Sequence, residues 1–233
     1  METINKKEKK LSFSAEMENG LANAIRRYVH QIPTTAIDEI ELSKNDSVLY
    51  DETIAHRIGL IPIIAKKQKG KLKLKTKKEG MVYSGELKGD AQIVYDKIPI
   101  TLLDKDQELE ITATFKVGNG TEHSKFSPGI MFFRNGVELT MNKKFKEEIQ
   151  RICPGAEIKE KGDKIVVLDN KEKEISDVCE GIAEKAGEKA EIKETPNLII
   201  NLEGFGQMKV EDIFKKSIET LKKDLEEVSK KLK

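Results

Sequence analysis

Gly20-Leu-Ala-Asn-Ala-Ile-Arg-Arg-Tyr28 is the stretch whose reading decides the fold. On a helical wheel Met17, Leu21, Ala24, Ile25, Tyr28 and Val29 share one face, while Asn19, Asn23, Arg26, Arg27 and His30 share the other. The spacing predicts a helix over residues 17–30 whose two faces serve two different neighbours. Ahead of it, Leu11, Phe13 and Ala15 alternate with Lys10, Ser12 and Ser14, as in a half-buried strand. Behind it Pro33 stops the helix, and Ile40 and Leu42 alternate with Glu39 and Glu41 in a second strand with one solvated side. Residues 1–43 therefore read strand, helix, strand.

The far end of the chain mirrors this pattern. A strand at residues 197–202 and a Gly204-Phe205-Gly206 turn lead into a long helix at residues 210–232, roughly 33 Å at 1.5 Å per residue. Its apolar stripe is Val210, Ile213, Phe214, Ile218, Leu221, Leu225, Val228 and Leu232, more than a small sheet needs to cover itself. Between the two ends lies a mostly β region. It opens with a short helix at residues 51–58, with acidic residues at its start and Gly59 and Pro62 at its close, and a strand at 60–64. Strands at residues 81–87, 91–95, 109–117 and 126–133 follow. In residues 66–78, Leu72, Leu74 and Thr76 alternate with lysines, which reads as an edge strand blunted by charge. A nucleic-acid patch is the competing reading, although no aromatic is interleaved to stack on bases. Residues 143–193 are charge-rich, with a strand at 164–168 and a helix at 175–186, and look inserted.

Composition narrows the function classes. Of 233 residues, Lys and Arg number 42 against 41 Asp and Glu, a net charge of +1, so no global field draws the chain to nucleic acid or membrane. No apolar run approaches a spanning length, and the charged first ten residues carry no apolar signal core, which points to the cytoplasm. Two cysteines, Cys153 and Cys179, read as reduced thiols rather than a disulfide framework. The three histidines, His30, His56 and His123, stand in no catalytic signature, and the glycine pairs lack the spacing of a nucleotide site. No catalytic residue is expected.

Beyond Tyr28 the chain continues with Ile32-Pro-Thr-Thr-Ala-Ile-Asp-Glu-Ile40, Asn45-Asp-Ser-Val-Leu-Tyr-Asp-Glu52 and Ala55-His-Arg-Ile-Gly-Leu-Ile-Pro62. Together with residues 20–28 these resemble the D subunit of the archaeal-type RNA polymerase, and the first part is similar to the bacterial alpha subunit. The resemblance implies an α+β fold: a dimerisation domain from residues 1–43 and 194–233, an inserted β-rich domain at 44–142, and a small ferredoxin-like insertion at 143–193. It implies a non-catalytic assembly platform for DNA-directed RNA polymerase. The expected heterodimer partner is the L subunit, met by Leu21, Ala24, Ile25, Tyr28, Phe214, Ile218, Leu221 and Leu225. Asn23, Arg26 and Arg27 are expected to face the large catalytic B subunit, with the small zinc-binding N and P subunits as further partners. Sequence-specific contact with nucleic acid is not expected. Some members of the family hold an iron–sulfur cluster in the insertion through cysteines spaced x2, x2, x3. Here, with Cys179 in the third place, the other three positions are Lys173, Ser176 and Ala183, so no cluster and no other metal is expected.

Overall fold

The computed structural model describes residues 2–232. In chain order its elements are strands β1 (Glu2–Lys7) and β2 (Lys10–Glu16), helix α1 (Asn19–Val29), strand β3 (Thr34–Asn45), helix α2 (Asp51–Gly59), and strands β4 (Ile63–Ala65) and β5 (Lys69–Thr76). Strands β6 (Gly80–Tyr83), β7 (Lys88–Gly89), β8 (Ala91–Ile93), β9 (Pro99–Leu103), β10 (Leu109–Gly118) and β11 (Gly129–Asn142) follow. Helix α3 (Lys146–Ile152), strands β12 (Glu157–Lys161) and β13 (Lys164–Asp169), helix α4 (Ser176–Lys185), strand β14 (Glu191–Gly204) and helix α5 (Val210–Lys231) complete the chain.

These elements form two compact units. The first takes the chain up to Ala24 together with Met131–Glu203, and the second takes Ile25–Ile130 and the chain from Gly204 onward. The expected boundaries run differently. The two chain ends do meet, through β2 and β14, but β3 and α5 group with the β-rich middle. Met1 and Lys233, the outermost residues of the expected dimerisation domain, lie outside the described residues.

The first unit is a six-stranded sheet in the order β1-β2-β14-β11-β13-β12. In β14 the run Leu198, Ile199, Ile200, Asn201 and Leu202 is wholly buried, so both of its faces are covered, as a central strand requires. Its one polar member is satisfied: the Ser12 hydroxyl donates to Asn201 Oδ1 at 2.7 Å. Residues 143–193 do not stand apart as a module, because β13 pairs with β11 and β12 with β13, extending the same sheet. On it Leu139, Met141, Ile165 and Val167 pack with Phe145, Ile149, Cys179, Ile182 and Ala183 of the neighbouring helical segments.

One carboxylate organises this corner. Asp169, at the end of β13, accepts from Arg134 Nη2 at 2.7 Å and from the backbone N–H groups of Ile175 and Ser176 at 3.1 and 3.2 Å. The residue before α4, Ile175, offers no side-chain cap, so Asp169 takes that role across the chain. Arg134 Nη2 also donates to the Lys171 carbonyl at 2.7 Å, and the loop between β13 and α4 is thereby pinned.

The second unit is built on a four-stranded sheet in the order β3-β10-β5-β7, flanked by the pairs β4-β8 and β6-β9. Leu109, Ile111, Ala113 and Phe115 of β10 point inward with Leu72 and Leu74 of β5, against Ile54 and Ile58 of α2. Strand β3 carries two irregularities in its pairing with β10, one beside Asp38 and one beside Ser43. Asp38 accepts from Lys125 at 2.8 Å and Lys116 at 3.0 Å, and these ammonium groups, Lys125 first, hold its carboxyl below the ordinary range. The lysine strand β5 is not the edge that its charge suggests, because the two-residue β7 lies outside it. Gly89 permits that approach: its φ is +154°, and a Cβ there would sit 2.2 Å from the Lys71 carbonyl oxygen.

Replacing Asp169 with Ala strips Arg134 of its counter-charge and uncaps α4. Asp169→Ala is expected to cost roughly 3–5 kcal/mol, the range for removing one partner of a buried pair. Urea unfolding followed by circular dichroism checks this, and an unchanged midpoint would refute the role given to Asp169.

Candidate partner interface

Helix α5 has two different halves. In the first, Val210, Ile213 and Ser217 are buried, with Val210 and Ile213 close over Gly204. From Ile218 onward the same stripe is exposed: Ile218 is 39% exposed, Leu225 60% and Val228 53%. Leu232, just past the helix, is exposed as well, while Phe214 and Leu221 are half-buried. Scattered apolar side chains at a surface need no explanation, but a helical row of them does.

Helix α1 is rotated from its expected setting. Its inward row is Ala22, Ile25 and Val29, at i, i+3 and i+7. The wheel reading leaves Ala22 aside because a small residue adds little to an apolar face. The consequence is a correction: Ile25, 3% exposed, is core and cannot meet a partner. Leu21, half exposed, with the half-buried Ala24 and Tyr28 one step around the helix, forms the outer row instead. The Tyr28 hydroxyl donates to Asp224 of α5 at 3.0 Å, tying the end of α1 to the exposed half of α5. That bond, reinforced by desolvation, raises the phenol above its ordinary value of 10.0. The protonated phenol is the form that makes the contact, so the tie holds at neutral pH and is released only in strong alkali. Sequence reasoning missed Asp224, which no local pattern marks.

Asn23 and Arg27 are exposed and Arg26 half-buried. Of the three histidines, His56 and His123 are exposed, and His30 Nδ1 lies 2.8 Å from the Ser127 hydroxyl. Ser127 is buried and so presents no nucleophile to solvent; with the bond from Gly120 N–H to the His30 carbonyl, the pair anchors the end of α1 to the loop after β10. Cys179 is buried in the core of the first unit, where desolvation pushes its thiol up to about 11, and Cys153 is half-buried. A cubane cluster takes three or four thiolates, and this donor set does not fit one. Among the described residues no group of three or more His, Cys, Asp and Glu is placed to hold a metal ion. No helix of the described residues is long and apolar enough to cross a membrane.

Comparison with known proteins bears on these surfaces. A family model described as the RNA polymerase Rpb3/RpoA insert domain matches residues 64–131. The DNA-directed RNA polymerase subunit Rpo3 of Pyrococcus horikoshii is 32% identical over 70% of this chain and 71% of its own length. That of Pyrococcus furiosus is 31% identical over 72% of each. That of Thermococcus kodakarensis is 33% identical over 63% of this chain, which there spans 64% of the relative, slightly under two thirds. The chain belongs to the Rpo3 family, the archaeal D subunit of DNA-directed RNA polymerase, related to the bacterial alpha subunit.

Proposed function

We propose that this chain is a non-catalytic platform in DNA-directed RNA polymerase, which pairs with the small L subunit and then recruits the catalytic subunits. The observation that carries the reading is the apolar row left open on α5 from Ile218 onward, Ile218, Leu225 and Val228, held beside the outer row of α1 by Tyr28 and Asp224. Each of these side chains is worth about 1.5–3 kcal/mol if fully buried, an amount that goes unused unless a partner covers them. Leu21, Ala24, Tyr28, Phe214 and Leu221 complete the interface on this reading, with Ile25 withdrawn from it. Arg26 and Arg27, with Asn23, serve the large B subunit, where guanidinium forks pair with carboxylates and carbonyls. The N and P subunits dock elsewhere on the same platform. The chain works without an iron–sulfur cluster, because two thiols cannot replace the thiolates such a cluster takes.

Co-expression with a tagged L subunit tests the first step. Leu225→Asp lies on an exposed position, so the chain should fold and yet fail to co-purify; normal pairing would refute the interface. The double variant Arg26→Glu, Arg27→Glu should keep its pairing with L and lose the large subunit on reconstitution from purified subunits, whereas full assembly would remove the arginines from the contact. Anaerobically purified protein should show no broad absorbance near 400 nm and no stoichiometric iron, and three or four irons per chain would overturn the cluster-free reading.

A further inference from the structure

The solvent face of the four-stranded sheet is sorted by charge in a way that neither the fold nor subunit pairing requires. Strand pairing sets its rows. Lys71 lies opposite Thr114, which lies opposite Glu39; Lys73 lies opposite Thr112, which lies opposite Glu41. In these two central rows the face thus runs from Lys on β5 through Thr on β10 to Glu on β3, and the rows that flank them place Glu110 beside Lys75 and Lys116 beside Lys69.

At its two ends the basic column is neutralised. Lys67 pairs with Asp90 at 2.8 Å, Lys75 with Glu110 at 2.5 Å, and Lys77 with Glu108 at 3.2 Å. Lys69, Lys71 and Lys73 between them are exposed and have no ion-pair partner among the described residues. Lys88 of β7 is placed directly across from Lys73, a like-charge cross-strand pair, which is destabilising. The chain keeps this arrangement by a special device, since only glycine at position 89 lets β7 come so close to β5.

We propose that this column is a docking site for an extended acidic segment of another protein. Successive outward lysines on a strand are about 6.6–6.8 Å apart, and alternate side chains of an extended peptide have the same spacing. A peptide with Asp or Glu at every second position therefore meets Lys69, Lys71 and Lys73 in register and relieves the repulsion between Lys73 and Lys88. Nucleic acid fits less well. The outward positions of β5, β10 and β3 hold no aromatic on which a base could stack. A duplex is wider than one column and would lie over Glu39 and Glu41, about two strand spacings away. This site is separate from the proposed interface with L, and its test does not depend on that interface.

The test uses the full chain and a fluorescent peptide of alternating Glu and Ser, followed by anisotropy at low salt. The parent chain should bind it, and Lys69→Gln with Lys71→Gln and Lys73→Gln should weaken binding by about tenfold or more. A control with the same charge change elsewhere, Lys185→Gln with Lys189→Gln and Lys193→Gln, should stay within about twofold. Lys88→Gln should weaken binding and at the same time raise the urea midpoint, because it removes the like-charge pair. Equal binding by the Lys69, Lys71 and Lys73 variant overturns the proposal, as does a Lys88→Gln midpoint that does not rise. Tighter binding of an oligothymidylate or of duplex DNA than of the peptide overturns it in favour of a nucleic-acid occupant.

Discussion

The pairing of β14 with β2 is the constraint on which the first unit rests. It runs from Asn197 opposite Glu16 to Glu203 opposite Lys10, joining residues that are far apart in the chain. Its register is held from inside by the buried hydrogen bond between Ser12 and Asn201 and at the end by Lys10, which bridges Glu203 at 2.9 Å and Glu172 at 2.7 Å. A slip of one residue would turn every side chain to the opposite face and leave Asn201 unpaired in a core of Leu and Ile. Because the last strand needs the second, everything between them is looped out and must return. Such long-range closure is slow to form, and it makes this unit sensitive to its sequence ends.

Much of the architecture was legible in the sequence where burial is one-sided. The alternation in β10 and the long stripe of α5 announce themselves, because one face must be apolar and the other wet. Where that asymmetry is missing, the reading fails. Strand β1 carries Glu2, Lys6 and Lys7 and buries nothing fully, so only its partnership with β2 makes it a strand. Strand β12 is charged along its length for the same reason. The setting of α1 was missed by one step, since Ala22 packs as closely as a larger residue while Leu21 stays outside. The Asp169 network was invisible because Arg134 reaches it only through tertiary structure, and because Ile175 and Ser176 take their cap from across the loop rather than from the residue before the helix.

The two surfaces argued above differ in kind. The open row on α5 is an apolar surplus, a helix longer than its own unit can cover, and it suits the permanent partner proposed for it. The column on β5 is an electrostatic surplus on a rigid, solvated face, which suits an occupant that comes and goes with ionic strength. On the two proposals, the first surface takes a fixed subunit and the second an occupant that exchanges.

Strand β3 carries a last consequence. It is twelve residues long and stands at one side of its sheet, the kind of unpaired border along which newly made chains zip together into aggregates. The irregularities beside Asp38 and Ser43 break the even ladder that such zipping needs, and Glu39 and Glu41 add repulsion between like borders. Both features keep an unassembled copy of the chain from pairing with its own kind along this edge.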